Sequence, residues 1–299
     1  MNKNSIISNI TLDGREFLVK RDDLIDPYLA GNKYRKLYTL LQTPSKRFKT
    51  IISYGGTQSN AMLAIASMCK NKGWKFIYYT KPLAKVQKEQ NYGNFFYAKK
   101  FGMKHIEIPY ENYKDFIASI RLTLDEQTFV IDQGGAVVEA KEGLKVLADE
   151  IKDANLEVKS LATPSGTGTT ALFLALALPE YKIYTTPCVG NVEYLRNQMQ
   201  ALHPIPKNLT ILQPKRKYHF AKLYPEFYDI YKKLLNSGIE FDLLYAPSMW
   251  ITLLEQTYEK ITYIHSGGVS GNTSMLKRYL DKSSTNNPTT KSPLEVITT

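Results

Sequence analysis

A lysine at the head of a short apolar helix is a candidate nucleophile, and the run Leu29-Ala30-Gly31-Asn32-Lys33-Tyr34-Arg35-Lys36-Leu37 offers one. Gly31 and Asn32 are turn and helix-start residues, and Tyr34, Leu37, Leu40 and Leu41 recur behind them at helical spacing. A helix beginning near Asn32 places Lys33, Leu37, Leu40 and Leu41 on one side, with Arg35 and Lys36 within about a turn. Burial and neighbouring cations both disfavour an ammonium. A lysine kept neutral in this way can form a Schiff base with a carbonyl compound. The alternative on local chemistry is a basic, solvated helix start whose lysine snorkels to water.

Three glycine-rich stretches offer partners for such a lysine: Gly55 to Asn60, Ser165 to Thr170, and Gly267 to Gly271. Each follows an apolar run that reads as a strand, and the first two lead into apolar helices. Glycines let the backbone approach an anion, and the next helix start adds free N–H groups and a positive dipole end. Pro164-Ser165-Gly166-Thr167-Gly168-Thr169-Thr170-Ala171 has hydroxyls and glycines ahead of a helix of mostly Ala and Leu. It lacks the Gly-Lys-Ser/Thr ending of a nucleotide-triphosphate loop and the Gly-x-Gly-x-x-Gly spacing of a dinucleotide site, so a small monophosphate fits it better. The alternative is a threonine-rich helix cap. Ser59 stands where a hydroxyl at a helix start could meet a carboxylate, or could simply cap the helix. Tyr245, in Leu243-Leu244-Tyr245-Ala246-Pro247-Ser248-Met249, is either a catalytic phenol or a rim aromatic.

The elements that would hold these residues alternate in type. A hairpin over residues 5–20 turns at Asp13-Gly14. Strands are expected at 49–54, 76–79, 105–108, 129–131, 158–162, 183–184 and 261–264, with an extended stretch at 241–244 and helices between. Such alternation predicts α/β architecture with doubly wound parallel sheets covered on both faces. The polar, aperiodic segment from Asp281 to Thr299 reads as a tail without packed structure.

Composition narrows the function. The 299 residues allow one large or two medium domains, and 43% hydrophobic with 22% charged residues is ordinary for a globular protein. The net charge of +11 raises nucleic acid as a partner, but the lysines are scattered and no nucleic-acid signature accompanies the Lys215-Arg216-Lys217 group. A basic surface that attracts an anionic cofactor and substrate accounts for the charge without one. Four histidines and two cysteines, Cys69 and Cys188, show no metal-ligand spacing. Two cysteines make no disulfide framework, no apolar run reaches the length of a membrane span, and no signal-peptide core opens the chain. A cytoplasmic protein without a membrane partner is expected.

Several of these motifs together resemble one family. Gly31-Asn32-Lys33-x-Arg35-Lys36-Leu37, its lead-in Lys20-Arg21-Asp22-Asp23-Leu24, the Gly55-Gly56-x-x-Ser59-Asn60 loop, Gly166-Thr167-Gly168-Thr169 and Tyr245 occur in the family's order and rough spacing. Looser matches are Gln133-Gly134-Gly135-Ala136 with Glu142-Gly143, and His265-Ser266-Gly267-Gly268. The chain resembles the 1-aminocyclopropane-1-carboxylate deaminase / D-cysteine desulfhydrase family from about Lys20 to Gly268. These are pyridoxal 5'-phosphate enzymes of fold type II, with the tryptophan-synthase-β fold.

The resemblance implies two doubly wound domains facing across a cleft: a larger, cofactor-binding one of residues 1–36 and 148–280, and a smaller one of 37–147. It implies that Lys33 carries the cofactor with Lys36 beside it, and that Asn60 borders the cofactor ring. Gly166, Thr167, Gly168, Thr169 and Thr170 would hold the phosphate. Ser59 would act as nucleophile or proton-transfer group and help hold the substrate carboxylate, and Tyr245 would stand by the reacting atoms. His265 and the 133–143 motif would be structural or cofactor-lining. The chain departs from the family pattern at Ala61 (often His or Gln), Leu172 (Gly), and Ala246, where Glu or Thr often meets the pyridine nitrogen; Ser248 is the nearest substitute. The expected substrate is a small amino acid and the expected assembly a homodimer. The expected reaction is β-elimination from D-cysteine, with opening of the cyclopropane amino acid as one alternative and a catalytically degenerate binding protein as another.

Overall fold

The computed structural model describes residues 4–29, 31–122, 124–135 and 140–286. The chain opens with the hairpin β1 (Ile7–Leu12) and β2 (Arg15–Lys20), paired antiparallel from Ile7 opposite Lys20 to Leu12 opposite Arg15. Its turn residues Asp13 and Gly14 have φ of 48° and 77°. A two-residue turn with both φ positive matches the twist of the strands, and an Asp-Gly pair accepts that conformation. Two short helices follow, α1 (Gly31–Lys36) and α2 (Tyr38–Gln42). Leu37 joins them, since its N–H reaches the Lys33 carbonyl and its carbonyl accepts from Leu41.

The alternating part then runs β3 (Thr50–Tyr54), α3 (Asn60–Lys72), β4 (Lys75–Thr80), α4 (Lys85–Glu89), α5 (Gly93–Lys100), β5 (Met103–Glu107), α6 (Tyr110–Ser119), β6 (Thr128–Val130) and α7 (Ala140–Asp153). Strands β3 to β6 form a parallel sheet in the order β5-β4-β3-β6. The second half contributes β7 (Ser160–Ser165), α8 (Thr169–Ala177), β8 (Lys182–Pro187), α9 (Val192–Gln200), β9 (Leu209–Ile211), α10 (Pro225–Asn236), α11 (Ala246–Gln256), β10 (Ile261–Ile264) and α12 (Asn272–Asn286). With the hairpin these make a six-stranded sheet, β1-β2-β10-β7-β8-β9, parallel apart from β1. The larger sheet is thus assembled from both ends of the described chain, and the smaller lies wholly between Thr50 and Val130.

One core joins the two sheets, because the same cluster of buried side chains holds Ile51 and Phe76 from the small sheet and Leu161 and Ile183 from the large one. Helix α8 contributes Ala171, Leu172 and Leu174 to that core and is apolar on all sides, as a helix enclosed by protein must be. Helix α7 is amphipathic, with Leu144, Leu147, Ala148 and Ile151 buried at helical spacing. It crosses α1 so closely that a Cβ on Gly143 would lie 1.9 Å from the Arg35 carbonyl oxygen. The Glu142-Gly143 motif is therefore a packing device.

Three expectations need correction. Residues 241–244 form an irregular, bent loop rather than an extended strand, because Asp242 gathers the backbone N–H groups of the residues after it. The short strand β9 was not foreseen. Helix α12 continues to Asn286, six residues into the segment expected to be a tail; Ala136 and residues 287–299 lie outside the described residues. No helix among the described residues is long and apolar enough to cross a membrane.

Candidate active site

The strands of both sheets point their carboxyl ends at one cleft. The loops after β3, β6, β7, β8 and β10 all reach a cavity of about 690 Å³, which Lys33 also lines. This is where ligands bind in parallel α/β sheets. Lys33 further lines a smaller cavity of about 210 Å³ behind it, together with Asn60 and Gly268.

Lys33 Nζ donates to Asn32 Oδ1 at 2.8 Å. Burial lowers its amine to about 8, against the raising effect of the Asp242 carboxylate. Lys36 is buried one turn on, where Nζ donates to the Gly134 carbonyl at 3.3 Å. Burial and the charge of Lys33 hold the Lys36 amine well below its ordinary range. The expectation of a neutralised lysine among cations thus applies to the Lys33–Lys36 pair.

Arg35 plays a different part from the one its position suggests. It is fully buried, and Nε and Nη2 donate to Asp22 Oδ2 and Oδ1 at 2.9 and 2.8 Å. Nη1 and Nη2 donate to Glu150 Oε1 and Oε2 at 2.6 and 2.8 Å, and Lys20 Nζ reaches Glu150 Oε2 at 2.7 Å. Its charge is spent on these two carboxylates, so Arg35 anchors α1 to α7 and to the segment after β2 and does not repel the Lys33 ammonium. Burial opposes the Arg35 charge, but the bonds to Asp22 and Glu150 overcome it and raise its pKa.

The loop after β3 brings Ser59 and Asn60 to the cavity. Ser59 caps α3, its Oγ accepting from the Met62 N–H at 3.1 Å. The cap and the cavity-lining position belong to the same residue, and the Ser59 hydroxyl proton is not used by that cap. Asn60 Oδ1 accepts from Asn94 Nδ2 at 2.7 Å, and Ser270 in turn bonds Asn94. Gly268 leaves room for the Asn60 amide: a Cβ there would fall 2.3 Å from Asn60 Nδ2.

The loop between β7 and α8 has the features of an anion cup. Gly168 takes φ of 77° at the N-cap of α8, where no side chain caps the helix. The first N–H groups of the helix are left to a ligand. Gly166, Thr167 and Thr169 line the cavity, with the two threonine hydroxyls 2.9 Å apart. The Thr170 hydroxyl is buried without a partner, and neither it nor Gly168 lines the cavity. Gly168 packs under Met199 and Leu195 of α9. Ser165 turns away, its hydroxyl 2.6 Å from that of Thr185. An uncapped helix start, two glycines and two cavity-facing hydroxyls fit a phosphate monoester, and Lys33 opening on the same cavity fits an aldehyde. The residues present therefore suit pyridoxal phosphate.

Tyr245 stands at the N-cap of α11 with its ring against Gly166, where a Cβ would come 3.3 Å from the ring, and 5.2 Å from the Phe220 ring. Burial, then the charges of Asp242 and Cys188, push its phenol up, so it stays protonated. Ala246 offers only a methyl group, and its N–H goes to Asp242. Ser248 is buried with an unpartnered hydroxyl, but it does not line the cavity. His265 is a satisfied core residue: Nδ1 accepts from the Gly267 N–H at 3.1 Å, Nε2 lies 2.8 Å from the Glu240 carbonyl, and the ring stacks on Phe241. Burial lowers its pKa and keeps it neutral.

Sequence reasoning missed Asp242 and Phe220. Asp242 is buried and its carboxyl is raised to about 6 by burial. The one signal in the sequence was an aspartate three residues ahead of Tyr245.

No family model matches the chain. A Thermotoga maritima protein named "Putative 1-aminocyclopropane-1-carboxylate deaminase" is 27% identical over 286 residues, covering 86% of this chain and 90% of its own length. The Arabidopsis thaliana mitochondrial bifunctional D-cysteine desulfhydrase/1-aminocyclopropane-1-carboxylate deaminase is 25% identical, over 87% of this chain and 74% of that protein. A crystal structure of an ACC deaminase homologue superposes with a TM-score of 0.71 at 22% identity, covering 92% of this chain and 94% of that one. The chain is thus similar in sequence to proteins named 1-aminocyclopropane-1-carboxylate deaminase and D-cysteine desulfhydrase, and it shares the α/β fold of an ACC deaminase homologue.

Proposed function

We propose that the protein is a pyridoxal-phosphate-dependent deaminase or lyase of a small amino acid, and that its main reaction is β-elimination from D-cysteine to pyruvate, ammonia and sulfide. The observation that carries this reading is Lys33: an amine lowered to about 8 that shares a cavity with the uncapped start of α8. When bound, pyridoxal phosphate supplies an electron sink that acidifies the Cα–H bond of an amino acid.

The chain's own residues do the rest. Gly166, Thr167 and Thr169, with the N–H groups opening α8, hold the phosphate. Lys33 holds the cofactor and, with a pKa near the working range, takes the Cα proton. Ser59 donates to the substrate carboxylate beside the N-terminus of α3. The protonated Tyr245 phenol gives its proton to the departing sulfur. Loss of hydrogen sulfide leaves an enamine, which one water hydrolyses to pyruvate and ammonia.

Elimination is favoured over cyclopropane opening by two features. Ring opening asks for a nucleophile or base at a ring carbon, and the Ser59 oxygen already accepts from Met62. Ala246 gives the cofactor's ring nitrogen no polar side chain, which weakens the electron sink and suits the reaction with the better leaving group. The D configuration follows the name of the Arabidopsis relative. Both cysteines are free and buried, which fits a reducing compartment such as the cytoplasm.

The test is product analysis with D-cysteine and the cyclopropane amino acid side by side, with Lys33→Ala and Ser59→Ala as controls. Pyruvate and sulfide from D-cysteine, lost in Lys33→Ala, support the proposal. 2-Oxobutanoate alone would assign ring opening instead, and neither product from protein that binds the cofactor would assign a binding role.

A further inference from the structure

The lysines look scattered along the sequence, but the net charge is not. From Pro44 to Pro109 there are 12 Lys and Arg against 2 Asp and Glu, a net +10 of the whole chain's +11. This stretch builds β3, β4 and β5, three of the four strands of the smaller sheet, with the helices between them.

In a parallel sheet each connecting helix runs back against the strands, so strand starts and helix ends share the end away from the cleft. Lys49 precedes β3, Lys75 opens β4, and Lys104 is the second residue of β5. Lys70 lies in the last turn of α3, Lys100 ends α5, and Arg47 ends the 3₁₀ turn Ser45–Arg47. These pieces touch. The Lys75 N–H donates to the Lys49 carbonyl at 2.9 Å, and Trp74 Nε1 to the Ser45 carbonyl at 2.6 Å. Phe76 of β4 pairs with Met103 of β5, and Lys70 Nζ stands 4.9 Å from the centre of the Phe101 ring. All six cations are exposed. Among the described residues none of the six is ion-paired with a carboxylate; in this stretch only Lys85 and Lys88 are.

A helix C-terminus favours a cation, which accounts for Lys70 and Lys100 but not for lysines at three strand starts. Attraction of an anionic cofactor or substrate does not account for them either. Five residues of strand separate this end from the cleft by about 16 Å, twice the screening length of about 8 Å at physiological salt. Like charge also keeps a second copy of the chain off this face.

We propose that this face binds nucleic acid along its phosphate backbone, without reading sequence. The turns and helix ends that carry the cations expose no large apolar side chain, so they offer neither an anchor for lipid tails nor a hot spot for a protein partner. Arg47, Lys70 and Lys100 lie over the rings of Phe48, Phe101 and Phe96 at 4.9, 4.9 and 4.6 Å. Such contacts hold the charged heads in place, and cations held in a fixed array suit a polymer with phosphates at fixed spacing. The rings lie beneath the cations and are not offered to bases, which leaves the backbone as the part contacted. The inference is independent of the reaction assigned to the cleft.

The test is fluorescence anisotropy of two short DNA duplexes of unrelated sequence, titrated with the full chain at several salt concentrations. Both should bind alike, with affinity falling on the order of a thousandfold between about 50 and 200 mM salt. A variant carrying Lys49→Gln, Lys75→Gln and Lys104→Gln should keep its thermal stability while the slope of log affinity against log salt flattens by about three. A control carrying Lys215→Gln, Lys217→Gln and Lys222→Gln, on the other half of the molecule, should keep the parent slope. No binding, a marked preference for one duplex, or an equal loss in the control would overturn the proposal. So would binding to phosphatidylserine vesicles by a protein that leaves both duplexes free.

Discussion

Gly31 and Ser266 meet backbone to backbone: a Cβ on Gly31 would lie 1.9 Å from the Ser266 carbonyl oxygen, which accepts the Asn32 N–H at 3.2 Å. The contact fixes the head of α1, and so Lys33, against the loop that follows β10. Gly31 has φ of 59°, so a side chain there would meet both a left-handed backbone and an occupied space. Gly31→Ala is expected to destabilise the protein by about 3 kcal/mol and to displace Lys33. Thermal unfolding and cofactor binding measure the two effects; a variant as stable as the parent would show that the two loops are free to separate.

The buried network beneath α1 makes a second prediction. Arg35→Leu removes the guanidinium from between the buried Asp22 and Glu150 carboxylates and leaves them the Ser5 hydroxyl and the Lys20 ammonium, and losing one partner of such a buried network costs about 3 kcal/mol. Burial raises the Glu150 pKa, but hydrogen bonds from Arg35 and Lys20 more than offset it and hold it below its ordinary value. Its folded pKa is depressed, so this stabilisation is present above the ordinary carboxylate range and is lost as pH falls through the folded value. Unfolding in denaturant at neutral and acid pH should show the parent losing stability in acid and Arg35→Leu losing less. Parallel pH profiles would contradict the assignment.

Much of this organisation could be read from the chain because it is local. The Gly31 to Leu37 run, the Asp13-Gly14 turn, and the glycine- and threonine-rich turn before α8 each carry their structural reason within a few residues. What stayed hidden depends on distant segments. Arg35 looks like a cation beside Lys33 until Asp22 and Glu150 come from 13 and 115 positions away to neutralise it. Asp242 looks like a strand residue until the N–H groups after it fold back onto its carboxylate. Ser59 reads equally as a cap and as a ligand group, and the structure gives it a cap's hydrogen bond inside a cavity wall. The end of α12 was missed because its residues are polar and no apolar stripe marks the helix.

The turn between β7 and α8 yields a third prediction. Thr169→Ala and Thr167→Ala remove cavity-facing hydroxyls and leave the glycines in place. Each should weaken pyridoxal phosphate binding about tenfold, the loss of one hydrogen bond to a charged group, with little change in thermal stability measured without cofactor. Unchanged affinity in both variants would move the phosphate elsewhere.

The fourth prediction concerns pH. The Lys33 amine is lowered from 10.5 to about 8 by burial, against Asp242. Capture of pyridoxal phosphate by cofactor-free protein should therefore speed up through about pH 8 and then level, well before an ordinary lysine would. Between the folded and ordinary values the folded chain binds fewer protons than the unfolded one, so this group adds stability as pH rises from about 8 towards 10.5. A capture rate still climbing steeply near pH 10 would mean that Lys33 is solvated.

Lys33 is the residue expected to hold the cofactor. Borohydride reduction of the protein with pyridoxal phosphate, followed by peptide mapping, tests it most directly. A single phosphopyridoxyl label on Lys33, absent in Lys33→Ala, is the expected result. A label on Lys36 or any other lysine, or no label at all, would contradict it.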